Sequence, residues 1–173
     1  MMPGNIITVS ERCEIRKATL DNADFIIKLL NQQSFIEYIG DKKVNNHQTA
    51  IEYIERSFLS PYKEGLSAPY IVYLQSGQAI GVAGFYQRPY LQEPDLGYAF
   101  LDEFTGQGLA FETCEQLIAM ARKHLNITKL HAITDVQNHN SKKLLNRLGF
   151  EGNGKIYSQS PTKADCLFTY YFA

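Results

Sequence analysis

The spacing of apolar residues divides this chain into alternating strands and helices. Helical spacing predicts four helices, over residues 21–31, 47–58, 106–125 and 138–148. Short apolar runs between turn residues predict seven strands, over residues 11–16, 68–75, 78–87, 94–101, 129–134, 150–157 and 165–172. The resulting order is a strand, two helices, a three-strand meander, then helix, strand, helix and two final strands.

Two glycines open the third predicted helix. Gly106 and Gly108 are one residue apart, directly after the strand that ends near Leu101. The first N–H groups of a helix have no intrahelical partner, and glycines leave them uncovered by side chains. A negatively charged group can therefore approach the positive end of the helix dipole. The segment is typical of a loop that binds phosphate.

The spacing of these glycines distinguishes between kinds of nucleotide loop. A dinucleotide fingerprint requires a third glycine where this chain has Phe111, and the Gly-Lys-Ser/Thr of a P-loop is absent. The segment resembles the R/Q-x-x-G-x-G/A loop of the GCN5-related N-acetyltransferases (GNAT), which bind acetyl-coenzyme A. Gly108 and Ala110 match, whereas Thr105 replaces the usual Arg or Gln. The resemblance implies that the coenzyme diphosphate contacts Thr105, Gly106, Gln107, Gly108, Leu109 and Ala110.

Three further segments resemble the same family. Residues 138–150 are similar to its N-x-x-S/A-x-x-L-x-x-x-G-F segment, at the expected distance behind the phosphate loop. The segments E-R-C-E-I-R at 11–16 and P-D-L-G-Y at 94–98 resemble the ribosomal-protein N-terminal acetyltransferase-like branch. By this resemblance Asn138 hydrogen-bonds the pantetheine arm, and the backbone of Phe100 and Leu101 pairs with that arm as an added strand would.

The resemblance also implies a fold. It predicts a single N-acetyltransferase domain over residues 1–173, of α/β (α+β) class. Its mixed, mostly antiparallel sheet has about seven strands, is splayed between the fourth and fifth, and is flanked by about four helices. In the family this splay admits the coenzyme arm, and a bulge is a known way to end strand pairing beside a site.

The implied reaction is direct attack of a primary amine on the thioester of acetyl-CoA, which acts as acyl donor. Asp95 is the candidate general base, acting through water, with a solvated carboxylate as the alternative. Many family members use a tyrosine as the acid for the thiolate where this chain has Leu145. Ser141 is the remaining candidate acid, with a helix cap as its alternative role.

The acceptor is predicted from the ionisation of amines. An α-amino group with a pKa near ~8 is far more often neutral at physiological pH than a lysine with a pKa near ~10.4, a difference of roughly 3 kcal/mol. One carboxylate without a tyrosine therefore favours the N-terminal amine of a protein or peptide. A small-molecule amine acetyltransferase and a non-catalytic acyl-CoA-binding sensor or partner module remain the alternatives.

Composition restricts the partners further. A net charge of −1 and a pI near 6.4 predict no nucleic-acid partner, and no apolar run is long enough to span a membrane. Three cysteines without C-x-x-C pairing favour a reducing, cytoplasmic setting, and the four histidines lack the spacing of a metal site.

Lys142, Lys143 and Arg147 form either a solvated face or a contact for the coenzyme 3′-phosphate. The sequence leaves the oligomeric state open, including a homodimer.

Overall fold

The computed structural model describes residues 3–173, which form one eight-stranded sheet with helices on both faces. The strands are β1 (Ile6–Val9), β2 (Cys13–Arg16), β3 (Pro69–Leu74), β4 (Ala79–Tyr86), β5 (Asp95–Phe100), β6 (Lys129–Asp135), β7 (Glu151–Ser160) and β8 (Lys163–Tyr171). The helices are α1 (Ala23–Leu30), α2 (Gln33–Tyr38), α3 (His47–Ile54), α4 (Ser60–Glu64), α5 (Leu109–His124) and α6 (His139–Leu148). Short 3₁₀ turns precede α1 (Leu20–Asn22) and follow β5 (Asp102–Phe104).

The sheet consists of two antiparallel parts that meet at β5 and β6. Strands β1 to β5 pair in sequence order, and β6, β8 and β7 form the second part. Between the parts, β5 and β6 run parallel and share the single residue pair Asp95 and His131. Beyond that pair, towards their carboxyl ends, the two strands have no further paired residues. The predicted splay between residues 94–101 and 129–134 is therefore confirmed.

The element counts differ slightly from the sequence prediction. The extra strand is β1, a four-residue edge strand whose pattern is too short to be recognised without its partner β2. The extra helix is α2, whose six residues leave only Phe35 fully buried, so its periodicity is weak. The predicted helix at 47–58 continues through a π-helical turn (Glu55–Leu59) into α4, which gives one rod. Five helical rods thus flank eight strands.

A separate hydrophobic core lies on each face of the sheet. On one face, α5 and α6 cover the sheet with buried side chains that include Leu117, Ala121 and Leu145. On the other face, α1 and the α3–α4 rod bury Ile26, Ile54 and their neighbours against β3 and β4. Successive strand residues point to opposite faces. In β5, Leu96 and Phe100 accordingly belong to the α5 and α6 core, while Ala99 packs against the other core.

No helix among residues 3–173 has the length and hydropathy needed to cross a bilayer.

Candidate active site

A cavity of about 600 Å³ lies between the end of β5 and α6. Its walls come from the end of β5, the loop before α5, the first turns of α5 and α6, and α2. Eight of the residues predicted from the sequence line it, namely Phe100, Thr105, Gly106, Gly108, Leu109, Ala110, Asn138 and Ser141. Three do not, namely Asp95, Leu101 and Gln107. The structure thus brings most of the predicted site together around one opening.

The loop before α5 presents backbone donors to this cavity. Gly106 and Gly108 have φ angles of 74° and 80°, in the left-handed region that side chains other than glycine rarely adopt. The first bond of the helix runs from the N–H of Glu112 to the carbonyl of Gly108. Among the described residues, the N–H groups of Gly106, Gln107 and Gly108 have no acceptor. Such converging, unpaired amides at a helix N-terminus suit a phosphate.

Arg12 holds this loop in place from the opposite end of the sequence. Its Nη2 donates to the Gln107 carbonyl at 2.9 Å, and its Nε donates to Glu112 Oε1 at 2.5 Å. Glu112 also accepts from the Arg12 N–H and from the Ser10 hydroxyl. Partial burial alone would raise the pKa of Glu112, but the donors from Ser10 and Arg12 outweigh it and lower that pKa. The Arg12 guanidinium, itself held by the Glu112 carboxylate, therefore fixes the Gln107 carbonyl in a hydrogen bond.

The two polar side chains of the loop stabilise the loop itself. The Thr105 hydroxyl donates to the Asp102 carbonyl at 2.8 Å, and the Gln107 amide donates to the Glu103 carbonyl at 3.0 Å. Thr105 is shorter than the usual Arg or Gln, and here it satisfies a carbonyl of the preceding 3₁₀ turn. The groups of this loop that remain free to donate are therefore main-chain N–H groups.

The backbone of β5 offers a hydrogen-bonding edge at Tyr98 and Phe100, whereas the prediction was Phe100 and Leu101. The Leu101 N–H donates to Ile80 and its carbonyl accepts from Phe104, so Leu101 has no group left for a ligand. The Phe100 carbonyl accepts from the Gln32 side chain at 3.3 Å. Because groups alternate along an antiparallel strand, the amides of Tyr98 and Phe100 face the splay. An extended ligand can pair with them.

Ser141 lies against Tyr98, a residue that sequence reasoning did not select. The two hydroxyl oxygens are 2.8 Å apart, and both side chains line the cavity. Burial, and then the nearby Cys114, raises the pKa of Tyr98 well above its usual value, although its bond to Ser141 lowers it slightly. The phenol therefore stays protonated at physiological pH. The signal for Tyr98 was its position in the P-D-L-G-Y segment, but its partner is 43 residues away.

Asn138, and not the Ser141 hydroxyl, caps helix α6. Its Oδ1 accepts from the Ser141 N–H at 3.2 Å. The Ser141 hydroxyl is consequently free for Tyr98, so the capping alternative belongs to a different side chain. The Asn138 Nδ2 has no acceptor within residues 3–173 and remains available at the cavity.

Asp95 is buried at the start of β5. Its side chain is 3% exposed, and its Oδ1 accepts from Arg88 Nε at 3.0 Å. Burial raises the pKa of Asp95, and the Arg88 guanidinium opposes that rise without cancelling it. This carboxylate is therefore not solvated. Asp95 is three positions from Tyr98, roughly 10 Å along β5, and the two side chains point to opposite faces.

Two of the three basic residues of α6 reach the cavity. Lys143 and Arg147 line it, and the Arg147 guanidinium lies 4.5 Å from the centroid of the Phe111 ring. Lys142 instead donates to the Val136 carbonyl at 2.5 Å. A positive rim thus lies beside the phosphate loop, while within the described residues no group of three or more His, Cys, Asp or Glu side chains is placed to hold a metal ion.

The cavity has the donors that coenzyme A requires. Its unpaired loop amides suit a diphosphate, its open strand edge suits an amide-bearing arm, and Lys143 and Arg147 suit a further phosphate. A Cβ built at Gly106 meets no atom within 4 Å, which indicates open space beside the loop. The volume is within the usual range for a small-molecule site.

Comparisons with known proteins find similarity to acetyltransferases. A family model described as the acetyltransferase (GNAT) domain matches residues 12–151. An uncharacterized N-acetyltransferase, p20 of Bacillus licheniformis, is 25% identical over 170 residues, which cover 95% of this chain and 93% of that protein.

Solved structures share the fold. One is RimL, a ribosomal L7/L12 α-N-protein acetyltransferase in complex with coenzyme A, with a TM-score of 0.83 and 18% identity over 97% of this chain and 98% of that one. Another, from Salmonella typhimurium, is described as modifying the N-terminal serine of L7/L12. It has a TM-score of 0.82 and 18% identity over 98% of this chain and 100% of that one.

Proposed function

This chain belongs to the GNAT acetyltransferases, and from that premise we propose that it transfers an acetyl group from acetyl-CoA to the N-terminal amine of a protein or peptide. The observation that carries the proposal is the set of unpaired amides at Gly106 to Gly108, which adjoins a splay containing the Tyr98 and Ser141 hydroxyls. The acceptors named for the two structurally similar enzymes support the choice of an N-terminal amine.

The loop and the strand edge position the donor. When bound, acetyl-CoA supplies the acyl group as a thioester. We assign its diphosphate to the amides of Gly106 to Gly108 and its arm to the Tyr98 and Phe100 amides and the Asn138 side chain. The same assignment places Lys143 and Arg147 at the remaining phosphate. The main-chain donors are already in place, so little of the protein has to reorder on binding.

The hydroxyl pair supplies the proton that the departing sulfur requires. Attack by the amine forms a C–N bond and breaks the C–S bond, so the sulfur gains a proton and the nitrogen loses one. With the Tyr98 phenol donating to Ser141 Oγ, the Ser141 proton is directed to the sulfur, and the phenol proton can replace it. Asp95 does not line the cavity, so the nitrogen proton is assigned to it through a chain of water molecules and not by direct contact.

The proposed function is tested by acceptor-dependent thiol release. With saturating acetyl-CoA, we expect peptides with a free N-terminus to be acetylated at least tenfold faster than N-blocked peptides that contain an internal lysine, because the free α-amine is far more often neutral at pH 7.5. Mass spectrometry locates the acetyl group. Equal rates on the two amines contradict the assignment, and turnover confined to small amines favours that alternative.

A non-catalytic module is the remaining candidate, because Leu145 replaces the usual tyrosine and is buried in the core at 1% exposure. Calorimetric binding of CoA without turnover on any amine favours this module. The Tyr98 and Ser141 pair argues against a non-catalytic module. This pair supplies, from a different part of the chain, a hydroxyl that can serve as the acid in place of the missing tyrosine.

The role of Asp95 is tested through pH dependence. If Asp95 accepts the proton, Asp95→Asn lowers kcat by about 10²-fold or more and removes the acidic limb of the pH profile. Loss of the neighbouring cation in Arg88→Gln raises the pKa of the carboxyl further, so that limb moves to higher pH. An acidic limb that is unchanged in both variants assigns Asp95 to structure alone.

A further inference from the structure

A basic surface lies beside the cavity and has no part in binding the coenzyme as assigned above. It consists of Lys42, Arg56 and Arg88, here called the basic cluster. Each comes from a different segment: Lys42 from the loop after α2, Arg56 from the π-helical turn, and Arg88 from the loop after β4. These segments lie on the face covered by α1 to α4, opposite Ser141.

Aromatic rings fix the two arginines of the basic cluster. The Arg88 guanidinium lies 5.1 Å from the centroid of Tyr86, and that of Arg56 lies 5.9 Å from the centroid of Tyr53. A guanidinium over an aromatic face is held in orientation while its edge remains free to donate. The two arginines therefore have less freedom to lose on binding than solvated side chains would.

The charge of the basic cluster is only partly compensated. Arg88 pairs with Asp95, whereas neither Lys42 nor Arg56 forms an ion pair with any residue in 3–173. Asp41 in the same loop is bound to Lys43. Partial burial, then the charges of Arg88 and Arg56, lower the pKa of Lys42. Of the three cations, only Arg88 has a paired carboxylate among the described residues, an arrangement that an anionic ligand stabilises.

The basic cluster adjoins the place where an acceptor meets the donor. Tyr86 packs against Gly97, the neighbour of Tyr98. A Cβ at position 97 would lie 2.6 Å from the Tyr86 ring, so only a glycine there leaves room for the ring. On the other side, Tyr38 and Ile39 line the cavity, and Lys42 follows three residues after Ile39. Two separate chain segments thus connect the cavity wall to the basic cluster, although no residue of the cluster itself lines the cavity.

We infer that the basic cluster selects an acidic acceptor, a peptide N-terminus with carboxylates a few residues behind the reacting amine. This rests on the proposed function and adds the class of acceptor. Asp95, which pairs with Arg88, is three positions along β5 from Tyr98, roughly 10 Å, and this is also the length of about three residues of extended peptide. Complementary charge at such a rim mainly raises the association rate and the specificity, and less the affinity. High salt screens this effect.

The test uses three peptides that share the first residue and differ at positions three to five, which are Glu, Gln or Lys. We expect kcat/KM to be about tenfold higher for the Glu peptide than for the Gln peptide at low salt, and about equal in 0.5 M salt because of screening. The Lys42→Gln and Arg56→Gln double variant is expected to bring this ratio close to one. Lys155→Gln, which removes an exposed charge from β7, is expected to leave the ratio unchanged.

A second readout keeps this inference separate from the proposed function. Fluorescence anisotropy of labelled Glu and Gln peptides on the CoA-saturated protein reports acceptor binding whether or not acetyl transfer occurs. If no peptide is acetylated the proposed function fails, and the binding ratio still decides the inference. Equal ratios in the native protein and the double variant, or a preference for the Lys peptide, overturn it.

Discussion

Replacing Ser141 with alanine is expected to lower kcat by about 10²-fold while leaving the Kd for CoA within about threefold of its native value. General acid catalysis contributes about 10²- to 10⁴-fold, and the Ser141 hydroxyl is the group placed to supply that proton. Tyr98→Phe is expected to cost less, because it leaves the serine proton and removes only its replacement. Stopped assays of thiol release and calorimetry of CoA binding measure the two quantities.

Asn138→Ala is the comparison variant for the effect of Ser141→Ala on stability. The Asn138 side chain caps α6, so its removal is expected to lower the free energy of unfolding by about 1 kcal/mol. Ser141→Ala leaves the cap intact and is expected to leave that free energy nearly unchanged. A native kcat for Ser141→Ala would remove the serine from the proton path. Equal loss of stability in both variants would return it to a capping role.

Replacing Arg12 with alanine is expected to weaken CoA binding by about 10- to 100-fold. The guanidinium anchors the Gln107 carbonyl and the Glu112 carboxylate, and a charged hydrogen bond of this kind is worth about 1.5–3 kcal/mol. Without it the loop carbonyl can turn towards the diphosphate, and Glu112, whose side chain is 16% exposed, loses its counter-charge. Arg12→Lys restores the charge without the second donor and is expected to recover only part of the affinity.

Two effects of Arg12 on CoA binding can be distinguished by experiment: holding the loop in place, and attracting the coenzyme phosphates by its charge. Arg16→Ala is the matched control, because Arg16 lies at the end of β2, the strand that directly follows Arg12, and contacts Glu14 and the Gly4 carbonyl, away from the loop. It is expected to leave CoA affinity unchanged. If Arg12 positions the loop, CoA and 3′-dephospho-CoA lose affinity equally in Arg12→Ala, and Glu112→Gln relieves part of the loss. A loss confined to CoA, or matched by Arg16→Ala, contradicts this role.

Local patterns predicted the order of the elements and the position of the phosphate loop. Helices α5 and α6 are buried on one face, and strands β3 to β6 on one face or both. This burial leaves a periodic pattern of apolar residues within a short stretch of sequence, so it can be predicted locally. The glycines of the loop are informative for the same reason, because a positive φ is a local property. The splay followed from the family resemblance, and periodicity alone contains no sign of it.

Contacts between distant segments were beyond the reach of the sequence. Arg12 meets Gln107 across 95 residues, and Tyr98 meets Ser141 across 43, so no local pattern joins them. Asp95 follows Pro94 in a polar stretch, and its burial depends on Arg88 folding back from the preceding loop. Leu101 was expected to face the ligand, but the register of β5 against β4 uses its N–H for Ile80. A shift of one residue reverses the direction of each group on a strand.

The edge strand β7 has a consequence for the behaviour of the protein at high concentration. Its first five residues are exposed, and its pairing with β8 is interrupted at two places. An unbroken exposed edge would offer a template on which further chains could add as new strands. The irregular register and the charges of Glu151 and Lys155 make this edge a poor template. We therefore expect the protein to resist fibril formation at high concentration.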